Sequence, residues 1–77
     1  SAASDVYKRQ VVDSSYQKLK GKLISDLRLD ENINIPALKR GETVLMAHGD
    51  TEIHDDDHLI VFYKDKDVID SFYNTFR

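Results

Sequence analysis

The sequence predicts an α+β domain: a small, mostly antiparallel sheet with a short helix before it and a C-terminal amphipathic helix packed on it. Two observations predict this fold. Between positions 33 and 62, apolar residues alternate or form short runs that turn residues interrupt, as in strands. Beyond position 65, the apolar residues change to the spacing of one helix face.

Length and composition limit the function classes. With 77 residues, the chain forms one domain at most. It has no Cys, which excludes a disulfide framework and a thiolate zinc site. No run approaches the ~18 apolar residues of a membrane span. The net charge of −3 disfavours nucleic acid as a partner, because phosphate binding needs a basic patch. The expected compartment is the cytoplasm.

The first ten residues, SAASDVYKRQ, are typical of a translated adapter sequence. We therefore expect a non-native leader or disordered segment at 1–10 and the domain at 11–77. Val11 and Val12 are expected to end a first strand that is mostly missing. A loop should follow at 13–20, and then a short helix that presents Leu23, Ile24 and Leu27 on one face.

The first full strand is predicted at 33–38, with Ile33, Ile35 and Ala37 on one face. Pro36 cannot donate to a strand ladder, so this strand should lie at a sheet edge or contain a bulge. We expect the edge to lie at or near a dimer contact, because an unpaired edge favours pairing with a second copy.

Turns connect the remaining strands. Gly41 suits a hairpin corner that requires positive φ, and 43–46 should pair back as the next strand. Gly49 and Asp50 are expected to form a structural turn. Asp57 should fix the corner before the next strand by accepting backbone N–H groups.

The strand at 58–62 and the final helix are the clearest elements. The run Leu59-Ile60-Val61-Phe62 suggests a strand buried on both faces. Asp65 suits the N-cap of a helix, and Asp67 suits its first turn. The helix carries an apolar stripe formed by Val68, Ile69, Phe72, Tyr73 and Phe76.

The ordered set of motifs resembles the C-terminal lobe of the TrkA-type regulators (the RCK C-lobe), and within that family the potassium-uptake regulators most. The matching segments are Gly21 to Leu27, Ile33 to Gly41, Val44 to Ile53, Asp57 to Phe62 and the helix ending near Phe76. The chain departs from the family at Pro36, where Gly is usual, and in its leading strand.

The resemblance implies a non-catalytic regulatory and dimerisation lobe of a cytoplasmic subunit, peripheral to the inner face of the membrane. That subunit would control potassium uptake through a membrane transport subunit. A homodimer is expected. No cofactor is expected in this fragment, because nucleotide would bind an N-terminal lobe. As an alternative, the resemblance implies a cyclic di-AMP sensor of another ion transporter, with Ile35 and Ala37 as an apolar floor and Arg40 as a cationic wall.

A third alternative is a metal-binding enzyme fragment that uses the cluster of His, Asp and Glu between His48 and His58. The spacing fits neither an EF-hand nor a His-Glu-x-x-His helix. In an extended segment, successive carboxylates point to opposite faces. We therefore favour solvated turns over a metal site. No Ser has a base at a recognisable spacing, so no catalytic residue is predicted.

Overall fold

The computed structural model describes residues 7–14, 16 and 18–77 and confirms the α+β fold. The elements are the strands β1 (Lys8–Asp13), β2 (Ile33–Arg40), β3 (Thr43–Met46) and β4 (His58–Tyr63), a 3₁₀ turn (Ile24–Leu27) and the helix α1 (Lys66–Phe76). Within these described residues, no helix is both long and apolar enough to span a bilayer.

The four strands form one antiparallel sheet in the order β1-β4-β2-β3. β2 therefore lies between β4 and β3, and the expectation that the 33–38 strand is a sheet edge was wrong. β1 and β3 are the edges. The physical reason is that β2 pairs with β3 on one side and with β4 on the other, and the bulge at Pro36 accommodates the residue that cannot donate to the ladder.

β1 is longer than the expected remnant ending at Val11 and Val12. It pairs with β4 over six residues, from Lys8 opposite Tyr63 to Asp13 opposite His58. Lys8, Arg9 and Gln10, which we assigned to a leader, belong to this strand. The other part of that expectation, at positions 1–6, lies outside the described residues.

A β-bulge interrupts β2 at Pro36. The register with β4 shifts between Asn34, opposite Phe62, and Ala37, opposite Ile60. Two residues of β2, Ile35 and Pro36, thus lie opposite the single residue Val61 of β4. The bulge confirms one of the two positions expected for Pro36. It also places Ala37 on the opposite face from Ile35, so the predicted simple alternation was wrong there.

The core lies between the sheet and α1. Ile69, Phe72 and Phe76 of α1 are buried, as the stripe predicted, and the Phe72 and Phe76 ring centroids are 5.0 Å apart. Asp65 caps α1, because its carboxylate accepts the Val68 N–H at 3.1 Å. Fully buried side chains outside the regular elements, such as Leu19 and Ile53, complete the core.

The predicted short helix is the 3₁₀ turn Ile24–Leu27. Leu27 is buried, whereas Leu23 and Ile24 are half-buried. The turn is held from outside, since the backbone N–H groups of Ile24 and Ser25 donate to carbonyls of Thr51 and Gly49 at 2.9 Å. These bonds therefore join the 3₁₀ turn to the 49–51 loop, which is distant from it in sequence.

Candidate functional site

The corner before β4 is built around a buried carboxylate. Asp57 is fully buried and accepts two hydrogen bonds from Arg40, from Nε at 2.9 Å and from Nη2 at 2.8 Å. It also accepts the backbone N–H of His54 at 2.8 Å. A second Arg40 Nη2 bond reaches the Glu52 carbonyl at 3.0 Å. We call Arg40 and Asp57 the corner clamp. It ties the end of β2 to the start of β4.

The two charges of the corner clamp stabilise each other. Burial raises the pKa of Asp57, but the hydrogen bonds from Arg40 and His54 and their charges outweigh burial, so the pKa lies below its ordinary value. The hydrogen bond to Asp57 raises the pKa of Arg40. Because the Arg40 side chain is only 35% exposed and its partner 0%, the pair is shielded more than a surface ion pair.

The corner clamp was not predicted from sequence. Asp57 was singled out for accepting backbone N–H groups, and Arg40 as a ligand-binding cation. The two residues are 17 positions apart, and no local pattern links them. The available signal was their opposite charge at the ends of two strands, which becomes informative only when the strands are known to pair.

The predicted turn glycines occupy two different kinds of position. Gly41 lies in the β2–β3 hairpin with φ of +61°, a conformation that other residues rarely adopt. Gly49 and Asp50 lie in the turn that Thr51 closes with a 3.0 Å N–H bond to the His48 carbonyl. The carbonyl of Gly49 accepts the Ser25 N–H, so this turn holds the 3₁₀ turn in place.

The three predicted ligand-binding residues are not brought together. Ile35 faces the core and is 2% exposed, whereas Ala37 lies on the other face of the sheet. Arg40 is occupied by Asp57 and by the Glu52 carbonyl. They do not form the expected apolar floor with a cationic wall, because the bulge at Pro36 separates Ile35 from Ala37.

The acidic and histidine side chains at 48–58 do not converge on one site either. Asp55 pairs with Lys20 at 3.1 Å, and His54 Nε2 lies 3.3 Å from Glu52 Oε1. Across the part of the chain that the structure describes, no three His, Asp or Glu side chains are grouped to hold a metal ion.

A groove between the 3₁₀ turn and α1 combines apolar and charged walls. Its volume is about 260 Å³. Ile33, Val68 and Phe72 contribute apolar surface, and Arg28 and Asp30 contribute opposite charges at the wall. Arg28 adopts a left-handed conformation with φ of 49° at the end of the 3₁₀ turn. The groove therefore combines apolar residues with an arginine that sequence reasoning did not identify.

The sheet face opposite α1 is largely uncovered. Val11, Ile60, Ala37 and Met46 stand opposite one another on successive strands and form an apolar row across the sheet. Val11 is 51% exposed and Met46 69% exposed. Val44 and Phe62 on the same face are 61% and 38% exposed. We call this surface, carried by all four strands, the outer sheet face.

The outer sheet face corrects one expectation. The run in β4 suggested burial on both faces, and Leu59 and Val61 are fully buried. Ile60 is half-buried, and Phe62 is exposed. The single copy thus covers only one face of a strand whose sequence is suited to being covered on both.

Comparison with protein families identifies the family of this chain. The family model described as the TrkA-C domain matches residues 9–77. A potassium uptake protein TrkA of the Trk system from Vibrio alginolyticus is 40% identical over 57 residues, which are 74% of this chain and 12% of that protein. The TrkA protein of Halomonas elongata is 39% identical over 54 residues, 70% of this chain and 12% of its own length. The chain spans about an eighth of these relatives.

Solved structures show the same fold. One, described as an RCK domain with cda, has a TM-score of 0.72 at 19% identity and covers 90% of this chain and 97% of its own. Another is the RCK C domain of the potassium transport protein KtrA in complex with cyclic diadenosine monophosphate. It has a TM-score of 0.78 at 23% identity and covers 96% of this chain and 88% of its own.

Proposed function

Because the chain belongs to the TrkA-C domain family, we propose that it is a non-catalytic regulatory lobe of a subunit that controls potassium uptake through a membrane transporter. The observation that carries the proposal is the match to TrkA of Vibrio alginolyticus at 40% identity over 57 residues. The subunit acts on the cytoplasmic side of the membrane, and two copies of the lobe associate. Nucleotide binding belongs to a different lobe of the same subunit.

The geometry supports an assembly role. The corner clamp and the bound 3₁₀ turn fix the loops on one side of the sheet, so the domain presents fixed surfaces to partners. The groove and the outer sheet face remain accessible. A lobe of this kind transmits a signal by changing its contacts with a neighbour.

A chimera tests this proposal. The matching segment of the Halomonas elongata TrkA protein is replaced by this chain, and potassium uptake is measured in cells that lack their own TrkA. We expect uptake well above that of TrkA without the segment. The matched control carries Phe72→Ala, which removes a buried ring and should abolish the gain. A chimera that accumulates in cells but gives no more uptake than the truncated protein would contradict the proposal.

We propose as a second candidate that the groove binds a cyclic dinucleotide such as cyclic di-AMP. The specific observation is that Arg28 lines the groove together with the apolar residues Ile33 and Phe72. Guanidinium forms charge-assisted bonds to phosphate, and an adenine ring suits an apolar floor. The solved KtrA domain with the same fold binds this dinucleotide. The ligand would lie at this groove rather than at Ile35, Ala37 and Arg40.

Titration calorimetry of the 77-residue chain with cyclic di-AMP tests the second candidate. Arg28→Asn removes the guanidinium and keeps a residue type that tolerates positive φ. Because a charged hydrogen bond contributes about 1.5–3 kcal/mol, we expect binding to weaken roughly 10–100-fold. Lys18→Asn, an exposed cation outside the groove, is the control and should bind as the parent does. No measurable heat with the parent would contradict this candidate and leave the regulatory proposal standing.

A further inference from the structure

The backbone of the edge strand β3 is paired on one side only. Arg40 and Thr43 flank the two-residue turn of the β2–β3 hairpin, and such a turn is closed by a hydrogen-bonded pair. At the other end of β3, the N–H of Ala47 donates to the carbonyl of Pro36 at 2.9 Å. These two fixed points set the alternation along the ladder, in which every second residue bonds to β2.

Val44 and Met46 are the residues of β3 whose backbone N–H and carbonyl groups point away from β2. Both occupy non-hydrogen-bonded pairs, opposite Lys39 and Ala37. Within the described residues, no strand of the sheet lies beyond β3. Their side chains are also the most exposed large apolar ones of the described chain. The same two residues therefore present backbone donors, backbone acceptors and apolar side chains at one edge.

β3 lacks the features that normally protect a sheet edge. Edge strands avoid pairing with other chains through charged side chains, Pro or bulges. The opposite edge, β1, carries Lys8 and Arg9, whereas Thr43–Met46 contains neither a charge nor Pro. Its register with β2 is also unbroken. The β3 edge is therefore open to a further strand.

We propose that the β3 edge binds an extended segment of a different protein, which adds a fifth strand to the sheet. An extended backbone is the ligand that fits, because it repeats a donor and an acceptor at the two-residue spacing that Val44 and Met46 offer. This docking surface goes beyond the proposed function, which does not depend on it.

The side chains around the β3 edge define the sequence of the segment. In an antiparallel pairing, two alternate residues of the segment lie beside Met46 and Val44 on the outer sheet face, where apolar side chains would cover exposed surface. The residue between them lies beside the half-buried Leu45 on the core side. The segment therefore begins with three apolar residues.

Glu42 sets the direction of the segment. It immediately precedes β3, and none of the ion pairs among the described residues engages it. A Lys or Arg two residues after the last apolar residue of an antiparallel segment would lie opposite this carboxylate. Read from its N-terminus, the expected segment is three apolar residues, any residue and then a cation.

Fluorescence anisotropy with the 77-residue chain and a labelled peptide, acetyl-Ser-Val-Leu-Val-Thr-Lys-amide, measures the binding. The contact is smaller than a standard interface of about 800 Å² per partner, so we expect a dissociation constant of about 100–1,000 μM. Replacing the peptide Lys by Glu should weaken binding about 2–5-fold, and Glu42→Lys should reverse this preference. A preference for the Glu peptide by the parent would overturn the direction.

Backbone methylation of the peptide separates strand addition from a simple apolar contact. In the proposed pairing, the N–H of the second Val donates to the Val44 carbonyl, so N-methylation there should weaken binding at least about tenfold. The N–H of the peptide Leu points away from β3. N-methylation of the Leu is therefore the matched control and should change binding by less than about threefold. Equal effects of the two methyl groups would overturn the proposal.

A pair of substitutions makes the same test on the chain. Val44→Pro removes the outward N–H, which Pro permits at an edge strand, and should weaken binding at least about tenfold. Val44→Thr keeps the N–H and should bind within about threefold of the parent. Circular dichroism establishes that both variants are folded. The methylated peptides decide the question without changing the chain.

Amide hydrogen exchange read by NMR identifies what occupies the edge. In the dilute free chain, the N–H groups of Val44 and Met46 should exchange rapidly and become protected when the peptide is added. The N–H of Leu45 bonds to β2 and should be protected throughout. Protection of Val44 and Met46 that rises with chain concentration alone would assign the edge to a second copy and overturn the proposal.

Failure of this inference is distinguishable from failure of the proposed function. No binding of the peptide by the folded parent up to about 5 mM would overturn the β3 edge as a docking surface. The regulatory proposal would stand, because the potassium-uptake chimera tests it independently.

Discussion

Replacing Asp57 by Asn tests whether the corner clamp holds the domain together. The change keeps the shape of the side chain and removes its charge and one acceptor oxygen. In the parent, the carboxylate accepts three hydrogen bonds, two from Arg40 and one from the His54 N–H. In the variant, an amide N–H₂ would face donors inside a fully buried site.

The expected cost follows from the number of donors left without an acceptor. Each unsatisfied buried donor costs about 1–3 kcal/mol. The Arg40 side chain is 35% exposed and recovers part of its loss by turning to water. We therefore expect Asp57→Asn to lower the free energy of unfolding by about 2–4 kcal/mol, less than the about 3–5 kcal/mol of a fully buried pair. For a domain of this size, that is a fall in melting temperature of about 10–30 °C.

The effect should depend on pH in one direction. The pKa of Asp57 is lowered in the folded chain, so its stabilisation is present above the unfolded pKa of about 3.9 and is lost as pH falls through the folded pKa. The difference between parent and variant should thus be full at neutral pH and shrink below about pH 4.

Urea unfolding followed by circular dichroism, at several pH values, measures both quantities. Asp55→Asn is the matched control, because Asp55 makes only an exposed pair with Lys20 and its side chain is 73% exposed. It should change stability by less than about 1 kcal/mol. The reasoning would be refuted if Asp57→Asn were as mild as the control, or if its effect did not diminish in acid.

Three further substitutions have expected outcomes that thermal and urea unfolding can check. Phe72→Ala removes a buried ring packed 5.0 Å from Phe76 and should cost about 3–5 kcal/mol, and a change below about 1 kcal/mol would show that the ring is not part of the core. Asp65→Ala removes the acceptor of the Val68 N–H and should cost about 0.5–2 kcal/mol, whereas Asp65→Ser should retain most of the stability. Gly41→Ala meets no atom within 4 Å but forces φ of +61° on a side chain, at a cost of about 1–2 kcal/mol that Gly41→Asn should reduce.

The parts of the fold that depend on local signals were predictable from sequence. The helix α1 follows from its apolar stripe and from Asp65, because both signals act within one or two turns. The strand at β4 follows from its β-branched run. These patterns specify an element without reference to its neighbours.

The parts that depend on pairing were not predictable from sequence. The position of β2 inside the sheet requires the partners on both of its sides, and β1 becomes visible as a full strand only through its pairing with β4. The corner clamp likewise needs two residues that only the sheet brings together. The groove at Arg28 arises where a 3₁₀ turn meets a helix distant in sequence. Each feature is a property of packing rather than of one segment.

The bulge at Pro36 changes which residues of the second half of β2 face the core. Upstream of it, odd-numbered positions such as Ile35 point inward, and downstream the even-numbered Leu38 and Arg40 take the side of Leu59. Pairing this segment without the bulge, at unchanged chain length, would shift the register by one residue and turn this half of the strand inside out. Lys39 would then face the core, and Arg40 would point away from Asp57. Deleting one of the two bulged residues would instead remove the bulge and keep Leu38 and Arg40 on their present face, so the bulge is what accommodates the extra residue without inverting the strand.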